Sequence, residues 1–164
     1  MNQLIVFIVD DNRLTGEIPK LQNLKRLQTF SANINQLSGR IPELQGLDLL
    51  ETFDVGFNQL SGEMPSLEGL HNLFALGVWN NQLSGTFPDL ENLSNLFLLY
   101  ISHNRFYGDM PEPPSPNRMA SSHATLCSNF STRWTIPVFV NKDVRFFMLR
   151  QPSYLMTWQQ PFPG

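Results

Sequence analysis

The sequence has little cysteine and little charge. Cys127 is the one cysteine among 164 residues, which excludes a disulfide within the chain. Charged residues make up 15% of the composition and the formal net charge is −3, so there is no polybasic surface for nucleic acid. Apolar stretches long enough to cross a bilayer are also missing. We therefore expect no nucleic-acid partner and no membrane insertion by this chain.

Motifs that carry chemistry are scarce as well. The three histidines and the cysteine do not have metal-ligand spacing, and no glycine-rich phosphate loop is present. Cys127 lacks a catalytic partner motif, so it is interpreted as an unpaired thiol rather than a nucleophile. The sequence predicts a protein that is not an enzyme and has no cofactor and no metal.

A repeat of constant length dominates the rest of the chain. Five segments with the pattern Asn-x-Leu-x-Gly-x-x-Pro follow one another every 23 residues, and phenylalanine replaces leucine in the fifth. Their asparagines are Asn12, Asn35, Asn58, Asn81 and Asn104. Self-similarity at a fixed period of this size predicts a solenoid, in which each unit stacks on the next. Stacked repeats commonly provide binding surfaces, so the pattern favours recognition over catalysis.

Each repeat contains one predicted strand and a compact crossover. Apolar residues eight, five and three positions before each asparagine include an alternating pair, which indicates a strand of about four or five residues with one buried face. Leucines after each proline recur at every third residue, which fits 3₁₀ or irregular structure better than an α-helix. The apolar residue before each proline indicates a second short extended segment.

The asparagine and glycine columns are interpreted as structural. A buried asparagine can satisfy backbone groups of adjoining turns with its amide and its carbonyl. The glycine of each repeat suits a turn with positive φ, which a β-carbon would disfavour. These columns therefore predict how the coils stack, and they leave the variable positions to determine what the protein binds.

Residues 50–65, Leu-x-x-Phe-x-Val-x-x-Asn-x-Leu-Ser-Gly-x-x-Pro, resemble a leucine-rich repeat. The Leu-Ser-Gly-x-x-Pro portion, also present at residues 37–42 and 83–88, is similar to the plant extracellular subclass of receptor-like kinases and polygalacturonase-inhibiting proteins. The resemblance covers residues 4–111. Two departures are a repeat of 23 residues where the subclass usually has 24, and the lack of paired-cysteine caps.

The resemblance implies a fold and a type of function. The fold is an α/β-type solenoid, a right-handed β-α superhelix of about five repeats. Its parallel sheet lies on the concave face, and 3₁₀ or irregular structure lies on the convex face. The function is recognition of proteins, peptides or glycans by a secreted or cell-surface protein, although neither a signal peptide nor a transmembrane segment is recognisable in this chain.

The chain divides into three predicted parts. Residues 1–111 form the solenoid, 112–117 a proline-rich exit, and 118–164 either an irregular cap over the last coil or a poorly ordered tail. The apolar run from Leu4 to Val9 is in register as the first strand, which we prefer to a signal-peptide core. Because no amino-terminal capping unit precedes it, we expect a fragment of a longer array or a truncated product.

Five variable residues on the later coils form the candidate site. They are Asp54, Phe57, Trp79, Tyr100 and His103, and they are expected to point outward from the concave sheet. Exposed aromatic side chains are typical anchors of interfaces. The alternative is that these rings only cover strand backbone or pack against the tail. An acid–base pair of Asp54 and His103 is disfavoured because the two lie two coils apart without a nucleophile.

The leading hypothesis is a non-catalytic module that recognises a protein or peptide through its concave face. Two alternatives remain open: a structural stalk or spacer of a larger surface protein, and a recognition ectodomain fragment of a receptor-like kinase. Asn92 and Asn129 begin triplets that match the glycan-acceptor pattern, which matters only in a secreted eukaryotic protein. The sequence does not indicate the ligand or the oligomeric state.

Overall fold

Two parallel sheets run the length of a solenoid in the computed structural model, which describes residues 3–109, 111 and 124–125. The first sheet has, in spatial order, β1 (Val6–Ile8), β3 (Thr29–Ser31), β5 (Thr52–Asp54), β7 (Ala75–Gly77), β9 (Leu98–Tyr100) and β11 (Ala124–Thr125). The second has β2 (Thr15–Glu17), β4 (Gln36–Gly39), β6 (Gln59–Glu63), β8 (Gln82–Gly85) and β10 (Arg105–Phe106). The predicted parallel solenoid is confirmed.

The register of the first sheet equals the sequence repeat. Val6 is paired with Thr29, Thr29 with Thr52, and Thr52 with Ala75, so each strand lies beside the same positions of the next repeat. These strands are three residues long, shorter than expected. Backbone bonds between repeats nevertheless continue past the strand ends. The Asp11 amide donates to the Asn33 carbonyl at 3.0 Å, and the backbone amide of Asn12 donates to the Ile34 carbonyl at 3.1 Å.

The second strand of each repeat lies earlier in the chain than the sequence indicated. β4 ends at Gly39, two residues before Ile41, and β4, β6 and β8 each include the leucine of the Asn-x-Leu-x-Gly segment. Pro42 has no backbone N–H, which prevents a ladder from continuing through the residues around it. Ile41 is still buried, as an apolar residue before proline was expected to be.

Leucine turns form the opposite side of the coil. The Leu24 amide donates to the Leu21 carbonyl at 2.8 Å, and the Leu27 amide donates to the Leu24 carbonyl at 2.8 Å. Equivalent bonds over three residues occur in the next three repeats. They close separate turns, and residues 3–109 contain no helix, so none there could span a bilayer. This arrangement agrees with the leucine period of three.

A continuous apolar core lies between the two sheets. Leu27, Leu50 and Leu73 are completely buried, and the rings of Phe7, Phe30 and Phe53 stack from coil to coil. Their centroids are 5.2 and 5.4 Å apart. Identical side chains in successive coils occupy equivalent sites, so the same packing recurs from repeat to repeat.

The asparagine column bonds each coil to the one before it. Asn58 Nδ2 donates to the carbonyls of Val55 and Gly56 in its own turn and to that of Ala32 in the preceding repeat, at 3.0–3.1 Å. Its Oδ1 accepts the Leu37 amide at 2.9 Å. The same set of bonds is formed by Asn35, Asn81 and Asn104. The predicted structural role of this column is confirmed.

The described part of the carboxy-terminal region adds a sixth strand to the first sheet. In β11, Ala124 pairs with Leu99 and Thr125 with Tyr100, a separation of 25 residues rather than 23. The predicted exit at 112–117 lies outside the described residues. So does the rest of 118–164, for which the cap and the tail stay predictions.

Candidate ligand-binding site

The outward face of the first sheet consists of four columns of five residues, one residue of each column per repeat. The first two columns are Val6, Thr29, Thr52, Ala75, Leu98 and Ile8, Ser31, Asp54, Gly77, Tyr100. The other two are Asp10, Asn33, Gly56, Trp79, Ser102 and Asp11, Ile34, Phe57, Asn80, His103. Strand alternation turns these positions away from the buried residues between them. All five predicted site residues belong to this face.

The fourth column has left-handed backbone in every repeat. Its five residues have φ between 52° and 56°, although none is glycine. The turn directs the chain into the following asparagine and presents the side chain to solvent, and Phe57 is 49% exposed. We call this set, residues 11, 34, 57, 80 and 103, the left-handed column. Its backbone requirement was not anticipated from the sequence, since the residue types vary.

Phe57 and Trp79 form an aromatic pair across two coils. Their ring centroids are 5.5 Å apart with an interplanar angle of 61°, an edge-to-face arrangement. The indole leans back over Gly56: a β-carbon built there would lie 2.1 Å from Trp79 Nε1. The absence of a side chain at Gly56 is therefore what allows the indole to lie against the strand.

Asp54 leans the other way, over the next coil. A β-carbon built on Gly77 would lie 2.5 Å from Asp54 Oδ1. The same oxygen accepts the Gly56 amide at 3.0 Å, and Oδ2 accepts Asn33 Nδ2 at 3.4 Å. Trp79 lies against Gly56 and contacts Phe57, and Asp54 accepts the amide of the same glycine. We call Asp54, Phe57 and Trp79 the Asp54 cluster.

A polar chain extends from this cluster to the first repeat. Asp10 Oδ1 accepts a hydrogen bond from the Ser31 hydroxyl at 2.7 Å and another from the backbone N–H of Asn33 at 3.0 Å. Asn33 Nδ2 also donates to Ser31 Oγ at 3.3 Å and reaches Asp54 Oδ2. Two carboxylates are thus joined through neutral donors, and each remains without a cationic partner among residues 3–109.

Burial raises the pKa of Asp54 above its ordinary value of 3.8. The nearby charge of Asp10 raises the pKa further, whereas the hydrogen bonds from Gly56 and Asn33 lower it without cancelling the effect of burial. A half-buried carboxylate with a raised pKa, and with no counter-charge in the part of the chain that the structure describes, is typical of functional sites.

Charge on the outward face has a single sign. Its carboxylates are Asp10, Asp11 and Asp54, and no lysine or arginine occupies any position of the four columns. The described lysines and arginines are at Arg13, Lys20, Lys25, Arg26, Arg40 and Arg105. Apart from a histidine, the face can offer a partner only negative charge.

Tyr100 and His103 are more distant members of the predicted site. Tyr100 is half-buried on β9, in register with Gly77, which is in turn in register with Asp54, so Tyr100 lies two coils from Asp54 in the same column. His103 is exposed in the left-handed column, and its recorded bond is a backbone one, from the Asn81 amide at 3.1 Å. No recorded contact joins the His103 ring to Asp54, so the structure does not form the acid–base pair.

Sequence reasoning missed the residues that shape the cluster. Gly56 and Gly77 provide its space, and Ser31 and Asn33 link its carboxylate to Asp10. The sequence did contain a signal for the space, because Gly56 and Gly77 are the two glycines in the outward columns. Within the described residues, no group of three or more histidine, cysteine, aspartate or glutamate side chains could hold a metal ion.

Comparison with known proteins agrees with this architecture. No family model and no curated protein matches the sequence. Among solved structures, the plant peptide hormone receptor RGFR1 in complex with RGF2 is 40% identical over 67% of this chain and 18% of its own, with a TM-score of 0.65. The Arabidopsis receptor kinase HAESA, solved with the peptide hormone IDA and the co-receptor SERK1, is 26% identical over 90% of this chain and 25% of its own, with a TM-score of 0.74.

A third neighbour has a different activity. A plant ice-binding protein is 29% identical over 74% of this chain and 39% of its own, with a TM-score of 0.59. These neighbours, together with the 23-residue solenoid, show that the chain belongs to the leucine-rich-repeat proteins. Its repeats are similar to those of the plant extracellular subclass, and it spans only a fraction of the receptor chains that it matches.

Proposed function

We propose that this chain is a non-catalytic leucine-rich-repeat module that binds a protein or peptide through the outward face of its first sheet. The Asp54 cluster is the observation that supports the proposal most strongly. It contains two aromatic rings that contact each other, and a half-buried carboxylate that has no counter-charge among the described residues. Such a combination contributes little to folding and matches the composition of interface anchors.

The structural neighbours support the proposal in general terms. RGFR1 and HAESA were solved with peptide hormones, so this repeat type occurs in peptide receptors. The ice-binding neighbour shows that the fold alone does not select a ligand. The argument for a protein or peptide therefore depends on the side chains of the cluster, with Tyr100 and His103 at its margin.

Peptides selected on the full chain from a random displayed library test the proposal. We expect Trp79→Ala and Tyr100→Ala to weaken a selected peptide, the former by about 30-fold, because a buried aromatic anchor contributes about 2 kcal/mol or more. Thermal unfolding of each variant should stay close to that of the parent chain, since both side chains lie outside the core. Binding is measured by titration calorimetry.

Phe74→Ala is the matched control. Phe74 is 45% exposed and stacks on Phe97 at 5.2 Å, but it lies immediately before β7, outside the four outward columns. We expect its affinity to stay within about twofold of the parent. Equal losses in the three variants, or unchanged binding in Trp79→Ala, would reject the outward face. A library without any Trp79-dependent peptide would favour the spacer hypothesis.

A further inference from the structure

The Asp54 cluster has the composition of a pocket for a cation. The carboxylate of Asp54 is held between two glycines, and the indole of Trp79 lies over one of them. Both Asp54 oxygens have neutral donors, from Gly56 and Asn33, which fix their position without neutralising their charge. The carboxylate is therefore oriented before any ligand arrives.

The surroundings of the carboxylate add negative charge. The polar chain through Asn33 and Ser31 brings Asp10 into the same field, and Asp11 lies at the amino-terminal end of the face. No lysine or arginine is present in the outward columns to compensate these groups. A ligand with a basic side chain would meet complementary charge over the whole face, which favours both encounter and specificity.

The aromatic pair suits the rest of a basic side chain. Lysine and arginine have apolar stems that pack on aromatic rings, and their cationic groups are attracted to the faces of tryptophan and phenylalanine. Trp79 and Phe57 are in contact with each other at the edge of the site, where the backbone of Gly56 joins them to the carboxylate. The apolar stem and the charge of a basic side chain thus find separate partners, the indole and the carboxylate, which both lie against Gly56.

We propose, on the basis of the binding function above, that the module recognises a basic segment of its protein or peptide ligand. One lysine or arginine side chain forms an ion pair with Asp54 and packs against Trp79 and Phe57. The ion pair supplies the counter-charge that no described residue gives Asp54. An acidic or neutral anchor at this position would leave the carboxylate buried and unpaired, which is costly.

Asp54→Asn is the variant that isolates the charge. Asparagine keeps the size of the side chain and an oxygen that can accept the Gly56 amide. Its NH2 group replaces the oxygen that accepts Asn33 Nδ2, which costs one long bond of 3.4 Å and leaves the fold in place. Asp48→Asn is its matched control, because Asp48 is an exposed carboxylate between Leu47 and Leu50, outside the outward columns. Both variants remove one negative charge from the full chain, so non-local electrostatic effects are equal.

The probe is a set of peptides selected from a random displayed library on the parent chain and depleted on Trp79→Ala. We expect every family of selected peptides to contain lysine or arginine at one fixed position. A representative synthetic peptide and its version with glutamine at that position are then measured against the parent, Asp54→Asn and Asp48→Asn. Asp54→Asn and the glutamine peptide should each weaken binding about tenfold, and together no further. Asp48→Asn should bind as the parent does.

Each result distinguishes the two proposals. Trp79-dependent peptides without a shared basic position, or losses that multiply when the two changes are combined, would overturn the basic anchor and leave the outward-face site intact. A library that yields no Trp79-dependent peptide would overturn the site and the anchor together. The proposal would also be contradicted if the required cation were the amino terminus of the selected peptide and not a side chain. Loss of binding on N-acetylation of the peptide would show this.

Discussion

Two neighbouring columns of the solenoid, the left-handed column and the asparagines that follow it, differ in what the fold requires of them. Residues 34 and 35 are adjacent in the chain, as are 57 and 58. The asparagine is the same in all five repeats, whereas the left-handed position is occupied by aspartate, isoleucine, phenylalanine, asparagine and histidine. One column is determined by its side-chain bonds, and the other only by its backbone angle.

The difference shows where this fold leaves room for function. An asparagine that bonds two coils cannot be exchanged without leaving backbone groups unsatisfied. A left-handed residue can be exchanged at the cost of some strain, and its side chain projects into solvent. Phe57 therefore contributes to the Asp54 cluster from a position where Ile34 and Asn80 occur in the preceding and following repeats.

Replacing an asparagine of the asparagine column should have the largest effect on the stability of the fold. We expect Asn58→Ala to lower the free energy of unfolding by about 3 kcal/mol, because four part-buried backbone groups lose their partner at once. Asn12→Ala should cost less than about 1 kcal/mol, since Asn12 is exposed and bonds only the Val9 and Asp10 carbonyls of its own turn. Urea denaturation followed by circular dichroism compares the pair. Equal costs would show that the bonds between coils are not what stabilises the stack.

Filling the space under the indole should affect binding more than stability. We expect Gly56→Ala to displace Trp79 and to weaken the binding of a selected peptide about tenfold, because the indole can no longer lie against the strand. Gly56 has no positive φ, so alanine is compatible with the backbone and unfolding should change by less than about 1 kcal/mol. Calorimetry measures the affinity. Unchanged affinity would mean that the position of the indole is not required.

Relieving strain in the left-handed column should stabilise the fold. Ile34 has φ of 53°, a conformation that costs a β-branched residue about 1–2 kcal/mol. We expect Ile34→Asn to raise the free energy of unfolding by about 1 kcal/mol, and Asn80→Ile to lower it by a similar amount. Both residues are on the outward face, so lost burial is a smaller contribution. Urea denaturation measures both changes. A lower free energy of unfolding in Ile34→Asn, or a higher one in Asn80→Ile, would contradict the left-handed backbone at these positions.

The smallest effect concerns the Asp54 carboxylate. Because its pKa is raised in the folded state, the folded chain binds more protons than the unfolded chain between 3.8 and the raised value. Stability contributed by this group therefore falls as pH rises through that window, and it stays reduced at neutral pH. We expect Asp54→Asn to unfold at a higher temperature than the parent at pH 7. The advantage should vanish below the ordinary pKa of 3.8, where Asp54 is protonated in the folded and the unfolded chain alike. A destabilised variant at pH 7 would contradict the unpaired carboxylate.

Much of the scaffold could be predicted from the sequence because its causes are repeated. The asparagine of each repeat indicated the bonds between coils, and leucines at every third residue indicated turns without a helix. The second strand was expected too late in the repeat, since the apolar residue before proline is buried without belonging to the strand. Periodicity identifies which side chains are inward, but not where hydrogen-bonded strands begin and end.

The candidate site was predicted only as a set of outward positions. That Trp79 leans back over Gly56 and Asp54 leans forward over Gly77 depends on contacts between repeats, which a pattern within one repeat cannot show. The neutral chain through Asn33 likewise joins three coils. Irregular features of a repeat protein arise from contacts between side chains of neighbouring coils. The sequence pattern of a single repeat does not predict these contacts.

The indole N–H resonance of Trp79 offers the most direct test of the outward-face site. It is assigned by comparison of the parent chain with Trp79→Phe, and Trp134 and Trp158 supply the two other indole signals of the same chain. On titration with a selected peptide we predict a saturable shift of the Trp79 signal with the dissociation constant measured by calorimetry. Saturated binding that leaves the Trp79 signal in place would contradict the account.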